Sequence, residues 1–216
     1  MPNAFLPKRG YRSTIRQEQA EQTRVRILQA ARKLFAERGY AGTSMQAVAA
    51  QADVGIQTIY AIFRNKPRLL VALFNAVSAR PGEEHTAVPE RAAPRAVGRE
   101  RDQRKQLRMF AEVVAENLSG GAAVSEIMVD AARTEPEIRR VLQKLSAARL
   151  EHMMLFVQQL RANGPLRDGL EDIAARDIVW ALSGPEVFLL LTRERGWRKE
   201  TYQEWLADAL MHALLR

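Results

Sequence analysis

TSMQAVAAQADVGIQTIYAIFRNK, running from Thr43 to Lys66, holds two short helical patterns separated by a break. Thr43-Ser44-Met45-Gln46 has the spacing of a capping box, in which the Thr hydroxyl accepts from the backbone three residues on and Gln46 reaches back. Met45, Val48, Ala49 and Ala52 recur at helical spacing and predict one buried face. Asp53-Val54-Gly55 interrupts the pattern, with Gly55 expected to supply backbone angles that other residues avoid. Beyond the break, Ile59 and Phe63 are spaced to pack inward, which leaves Gln57, Thr58, Tyr60 and Ala61 facing out. Two short helices across such a turn are a helix-turn-helix unit, whose second helix reads base edges in a DNA major groove.

The surrounding residues extend this pattern. Ile27-Leu28-Gln29-Ala30-Ala31, then Leu34-Phe35-Ala36-Glu37-Arg38-Gly39-Tyr40, then Thr43, Val48-Ala49, Val54, Thr58-Ile59-Tyr60, Phe63 and Lys66 follow in order. From about Arg24 to Phe74 the chain resembles the N-terminal domain of TetR-family transcriptional regulators. It departs from that pattern at Asp53, where the family often has Gly, at Gly55, where it often has Ser, and at Ile62, where it often has a phosphate-contacting His. Gly is a weaker N-cap than Ser, by a few tenths of a kcal/mol.

Charge supports the same assignment. The 216 residues carry a net charge of +8. Residues 1–66 hold 11 Lys/Arg against 4 Asp/Glu, while residues 67–216 hold 22 against 21. The basicity therefore belongs to the part predicted to meet phosphate. Within it, Tyr60 and Lys66 are expected at phosphates, with Thr43 also at the DNA backbone and Arg24 near a phosphate by resemblance. Gln57 is the candidate for a base edge, because a primary amide pairs bidentately with adenine. Ile56 or Ala61 suits a thymine methyl and Thr58 either purpose; Ser44 and Gly55, at the two helix starts, complete the DNA-facing set. On this reading Gln57→Ala changes sequence preference, whereas Lys66→Ala weakens binding to every sequence.

Taken in order, residues 1–17 read as a flexible basic arm and residues 18–66 as the helix-turn-helix domain, with a first helix over about Glu18–Arg38 closed by Gly39. Residues 67–216 read as a helical regulatory domain. Asn65 is placed to cap its first helix, with Pro67 in the first turn. PGEEHTAVPERAAPRAVGRER, residues 81–101, reads as a linker or mobile loop. Helical stripes follow: Leu107 to Leu118, closed by Gly120-Gly121; Val124 to Ala131; then a long helix behind Thr134-Glu135-Pro136-Glu137, read as a second capping box. Another helix begins near Leu170 and is interrupted at Ser183-Gly184-Pro185-Glu186, and Thr201–Leu215 makes a final amphipathic helix. No segment alternates as a strand, so the expected fold is all-α; the resemblance implies a three-helix DNA-binding domain followed by a helical ligand-binding and dimerisation domain.

The segment from Trp180 to Trp197 resembles the ending of some TetR-family members. That resemblance implies a homodimer through the last two long helices, around 171–193 and 201–215, bound to a palindromic double-stranded operator. It also implies a cavity for a small effector. Met109, Phe110, Met128, Met153, Phe156 and Trp180 are large apolar candidates for its wall, as are Met154 and Phe188, and Glu186, beside Pro185, is a carboxylate in an apolar stretch that needs a partner. The effector expected is hydrophobic or amphipathic, and its binding would favour a spacing of the reading helices that no longer fits successive grooves. The implied role is a repressor. A ligand-independent DNA-architectural protein is the alternative, and an enzyme using the helical pocket ranks below it.

Other classes find no support. There is no cysteine, and the three His at 85, 152 and 212 lack metal-ligand spacing, so no metal or other cofactor is expected. No nucleophile elbow or phosphate loop is present. No apolar run is long enough to span a membrane and no secretory signal is seen, so a cytoplasmic protein is expected.

Overall fold

The computed structural model describes residues 9–78 and 91–216, with side chains from residue 18 onward. Ten α-helices occur among them, and no strand. The chain divides into two compact units, Met1–Leu73 and Phe74–Arg216.

In the first unit α1 (Arg9–Arg38), α2 (Met45–Ala52) and α3 (Ile56–Phe63) precede α4 (Lys66–Val77), which runs across the boundary. α1 starts at Arg9, well inside the stretch expected as an arm; nothing in residues 11–17 breaks a helix, since Pro and Gly stop at Gly10. The rest of the expected arm, residues 1–8, lies outside the described residues. Ile27, Ala31, Leu34 and Phe35 of α1 are buried, as are Met45, Val48, Ala49 and Ala52 of α2 and Ile59 and Phe63 of α3. These are the three apolar stripes that the spacing predicts. Gly39 ends α1 with φ +68°, its N–H donating to the Phe35 carbonyl at 3.0 Å, the expected left-handed C-cap.

The second unit is built around α6 (Gln103–Ala131), against which α5 (Ala92–Arg99), α7 (Pro136–Ala162), α9 (Pro185–Leu189) and α10 (Lys199–Leu214) pack. α8 (Asp172–Leu182) lies on α7 and α10, and a π-helical turn, Leu190–Glu194, extends α9. The core joins Leu107, Phe110 and Ala111 of α6 to Phe156, Val157 and Leu160 of α7 and Tyr202, Leu206 and Leu210 of α10.

Three sequence expectations change here. Residues 92–99 are the helix α5 and not loop; Pro94 is its third residue, where its missing N–H has no intrahelical partner to lose. Residues 81–90 of the expected loop lie outside the described residues. α6 does not stop at Gly120-Gly121 but runs through both. A Cβ on Gly120 would stand 2.9 Å from the Val77 carbonyl oxygen, and one on Gly121 3.3 Å from Ser78 Oγ, so these glycines admit the end of α4 onto α6. The second capping box does not form: Glu135 is the N-cap of α7 and makes no side-chain cap bond. The guanidinium of Arg139 instead donates to the carbonyls of Ala132 and Arg133, both at 3.1 Å, and closes the end of α6.

Candidate nucleic-acid interface and ligand cleft

α3 presents the predicted reading face. Gln57, Thr58, Tyr60 and Ala61 are exposed, Tyr60 at 40%, and Ile56 is half-buried beside them. Ile59 and Phe63 on the opposite side are 0% and 3% exposed, so packing fixes the rotation of the helix.

The break before α3 works differently from the expectation. The left-handed residue is Asp53, with φ 52° and ψ 53°, and not Gly55. Asp tolerates this conformation better than most residues, and its N–H reaches the carbonyls of Ala49 and Ala50 to close α2. Gly55 has ordinary extended angles, φ −64° and ψ 141°, and is the exposed N-cap of α3 without a side chain to cap it. A left-handed residue follows α3 as well. Arg64 has φ 65° and ψ −46°, and Asn65 N–H donates to the Phe63 carbonyl at 2.7 Å across it, the geometry of a strained γ-turn. Asn65 then caps α4 as expected, its Oδ1 accepting from Arg68 N–H at 2.9 Å.

Three side chains predicted at phosphates or the DNA backbone, Thr43, Lys66 and Arg24, make contacts inside the unit. Thr43 is 1% exposed, and its hydroxyl proton is shared between the carbonyls of Leu34 (3.1 Å) and Gly39 (2.9 Å). The N-cap of α2 is Ser44, exposed, whose Oγ accepts from Ala47 N–H at 3.1 Å. Lys66 donates from Nζ to the carbonyls of Tyr40 and Thr43, each at 3.0 Å, with its ammonium 4.1 Å from the centre of the Tyr40 ring. It ties the start of α4 to the turn between α1 and α2. Arg24 is half-buried, with its guanidinium 5.1 Å from the centre of the Phe63 ring, and joins α1 to α3 by a cation–π contact. At Lys66 and Arg24 sequence alone offered a positive charge, and only the coordinates show which carbonyls and rings those charges already serve.

The second unit holds a cleft of about 410 Å³ between α5, α6 and α7, within the range of small-molecule sites. Phe110 and Phe156 stack at 4.2 Å in its wall, with Val113, Val114, Met153 and Leu155. Arg95, Arg99, Asn117, His152 and Gln159 supply its polar edge. Of the nine predicted ligand residues, Phe110, Met153 and Phe156 are therefore brought together, while Met109, Met128, Met154, Trp180, Glu186 and Phe188 do not line the cleft. Met128 is fully buried, and Met109 packs on the core. Trp180 is exposed on α8, where Arg149 of α7 stacks on its ring at 5.0 Å and donates to its carbonyl at 2.6 Å and to Ser183 Oγ at 3.0 Å. Burial lowers the pKa of this guanidinium below its ordinary value. Glu186 lies in the first turn of α9 and lines a separate hollow with Glu126, Leu190 and Arg193. Phe188 meets Tyr202 edge-on in the core, 4.9 Å between ring centres.

Arg95 and Arg99 were missed because their segment read as loop. Their spacing of four residues would have placed them on one face had the helix been recognised.

Among the described residues no helix is long and apolar enough to cross a membrane, and no three His, Cys, Asp or Glu side chains are grouped to hold a metal.

Residues 27–73 match the family of bacterial regulatory proteins described as the tetR family. An uncharacterised HTH-type transcriptional regulator of Bacillus subtilis, YhgD, is 45% identical over 51 residues. The match takes in 24% of this chain and 27% of that protein, so the chain spans about a quarter of the relative's length. Over nearly the whole chain the fold is similar to that of NalD, the secondary repressor of a multidrug efflux pump in Pseudomonas aeruginosa. That likeness has a TM-score of 0.66 at 23% identity, covering 92% of this chain and 98% of the other. FadR of Bacillus subtilis, solved with stearoyl-CoA, gives 0.65 at 17% identity, covering 86% and 96%. Both likenesses concern the fold. The segment that holds α3 therefore matches the tetR family of bacterial regulatory proteins, and the likeness of the rest of the chain is one of fold.

Proposed function

We propose that this protein is a sequence-specific DNA-binding transcriptional regulator, a repressor that a small hydrophobic or amphipathic ligand releases from a palindromic operator. The observation that carries the reading is the face of α3: Gln57, Thr58, Tyr60 and Ala61 stand exposed on a helix held by buried Ile59 and Phe63, inside the segment that matches the family. Gln57 is assigned to a base edge, Ile56 and Ala61 to thymine methyls, Tyr60 and Thr58 to the groove wall. Ser44 and the uncapped first turn of α3 after Gly55 face phosphates, since free amides at a helix start suit an anion. The cleft between α5, α6 and α7 takes the effector.

The regulator acts as a homodimer, because a palindromic site calls for a two-fold protein. α8 and α10 form the interface. α8 supports this with exposed Ile173, Trp180 and Ala181. α10 buries Tyr202, Leu206, Leu210 and Leu214 in its own chain, leaves Trp205, Ala209 and Ala213 half-buried, and offers Glu204, Asp208 and His212 outward, so it supplies a mixed margin.

The test is a selection of random duplex DNA by the full-length protein near physiological salt, followed by sequencing. One palindromic motif is expected. Binding without any motif, lost as salt rises, would leave only electrostatic attraction and favour an architectural protein.

A further inference from the structure

The cleft between α5, α6 and α7 has one chemical bias that its apolar wall does not explain. Its lining contains two arginines and a histidine and no aspartate or glutamate. Arg95 and Arg99 lie one turn apart on α5, on the same face. Both are exposed, and neither guanidinium has an ion-pair or hydrogen-bond partner among the described residues. The carboxylate nearest in sequence is already engaged. Glu100 meets Lys105 at 2.6 Å and accepts from the N–H groups of Arg101 (2.8 Å) and Asp102 (3.1 Å). The Lys105 bond, with those amides, holds its pKa down to about 2, so it stays ionised and spent on the start of α6.

The arginine-bearing helix is also fixed in place. The buried amide of Gln106 donates to the Val97 carbonyl at 3.1 Å, and Asn163 donates to Glu100 O and to Gln106 Oε1, both at 2.9 Å. A Cβ on Gly98 would meet the Gln159 amide at 3.1 Å, so α5 and α7 stand close there. A fixed helix thus brings two arginines into the lining of a cleft that also contains Phe110, Phe156, Val114 and Met153. Arg is the side chain best suited to grip a planar carboxylate through two parallel hydrogen bonds.

We propose that the ligand of this cleft is an amphipathic monocarboxylate: an apolar chain or ring seated on Phe110 and Phe156, with its carboxylate at Arg95 and Arg99 and the polar edges of His152 and Asn117 beside it. The proposal rests on the regulator reading for its consequence at DNA, and not for the binding itself.

Binding of octanoate, decanoate and dodecanoate to the full-length protein is measured by calorimetry beside decanol and decyltrimethylammonium, all below micelle formation. At least one carboxylate binds, decanol binds about tenfold or more weaker, a gap of about 1.4 kcal/mol, and the cation does not bind. The Arg95→Gln/Arg99→Gln variant, checked by its unfolding midpoint, loses carboxylate affinity to the level of decanol and keeps decanol binding. Arg95→Lys/Arg99→Lys recovers part of the loss. Carboxylates that bind no better than the alcohol or the cation, or that do not bind at all, would overturn the proposal, as would a glutamine variant that binds them like the parent. A separate arm adds the winning carboxylate to protein on its selected DNA. Arginine-dependent binding without release leaves the anion site standing and removes the release mechanism; a selection without a motif removes the regulator reading while the calorimetry still decides the site.

Discussion

Replacing Lys66 by Met separates a structural lysine from a phosphate-binding one. Its ammonium makes two bonds to carbonyls at 3.0 Å, on Tyr40 and Thr43, and sits 4.1 Å from the Tyr40 ring. Hydrogen bonds to a charged group contribute about 1.5–3 kcal/mol each, and a cation–π contact about 0.5–2 kcal/mol. The side chain is half-buried, so water recovers much of that, and Met keeps the stem packed. A net loss of about 2 kcal/mol remains. In a cooperative unit the size of Met1–Leu73, it lowers the thermal midpoint by about 10 °C. Thermal unfolding of the full chain, followed by circular dichroism, reads the shift. Titration with selected and with random DNA in the cold, where the variant is folded, reads the contact: affinity stays within a few-fold of the parent and the salt dependence does not change. An unchanged midpoint together with a uniform loss of DNA binding and a shallower salt slope would refute the structural assignment and return Lys66 to the phosphates.

Gly55→Ser gives α3 the acceptor it lacks; the added Cβ meets only Thr58 Oγ1, at 3.8 Å, so stability rises by a few tenths of a kcal/mol in a denaturant titration, and a fall would contradict the N-cap assignment. Arg64→Gly relieves the left-handed residue after α3 and raises stability by about 1 kcal/mol in the same titration, with no gain if the γ-turn is unstrained. Gln57→Ala leaves binding to random DNA unchanged but costs about 1–3 kcal/mol at one base of the selected motif, read by repeating the selection; a loss spread evenly over the motif speaks against a base contact. For Glu100, whose carboxyl is held at about 2 against an ordinary 4.5, the lowered value stabilises the folded chain above pH 4.5. That stabilisation is lost as pH falls toward 2, so Glu100→Gln is less stable than the parent at pH 7 and the gap narrows in acid melts.

The reading helix was legible because its information is local. Ile59 and Phe63 set which side is inward, and that alone turns Gln57, Thr58, Tyr60 and Ala61 outward. What failed depended on distant partners. Thr43 has the residue type and position of a cap, yet its hydroxyl turns back to Leu34 and Gly39, and the neighbouring Ser44 takes the cap. Gly120-Gly121 signals a stop until the end of α4 is seen lying on it. Residues 92–99 carry a Pro and a Gly that suggest a loop, but Pro94 falls in the first turn, where helices accept it. The ligand wall was half legible for the same reason. Bulky apolar residues are common to cores and pockets, and only the packing separates buried Met128 from Phe110 and Met153 at the cleft.

The contact of α4 with Gly120 sets how stiffly the end of α4 is joined to α6. α6 is 29 residues long, so it is a rod of about 44 Å. Its cleft-lining residues Phe110, Val113, Val114 and Asn117 end one turn before Gly120. There the neighbour is backbone on both sides: the helix itself and the Val77 carbonyl, at the end of the helix that begins just after the reader. Side chains can absorb a small displacement by changing rotamer, but two backbones cannot. Arg91 adds to the rigidity by donating to the Ser78 carbonyl at 2.7 Å. A shift of α6 of a few tenths of an ångström there meets the end of α4 without slack, and one methyl group at Gly120 would force the two backbones apart.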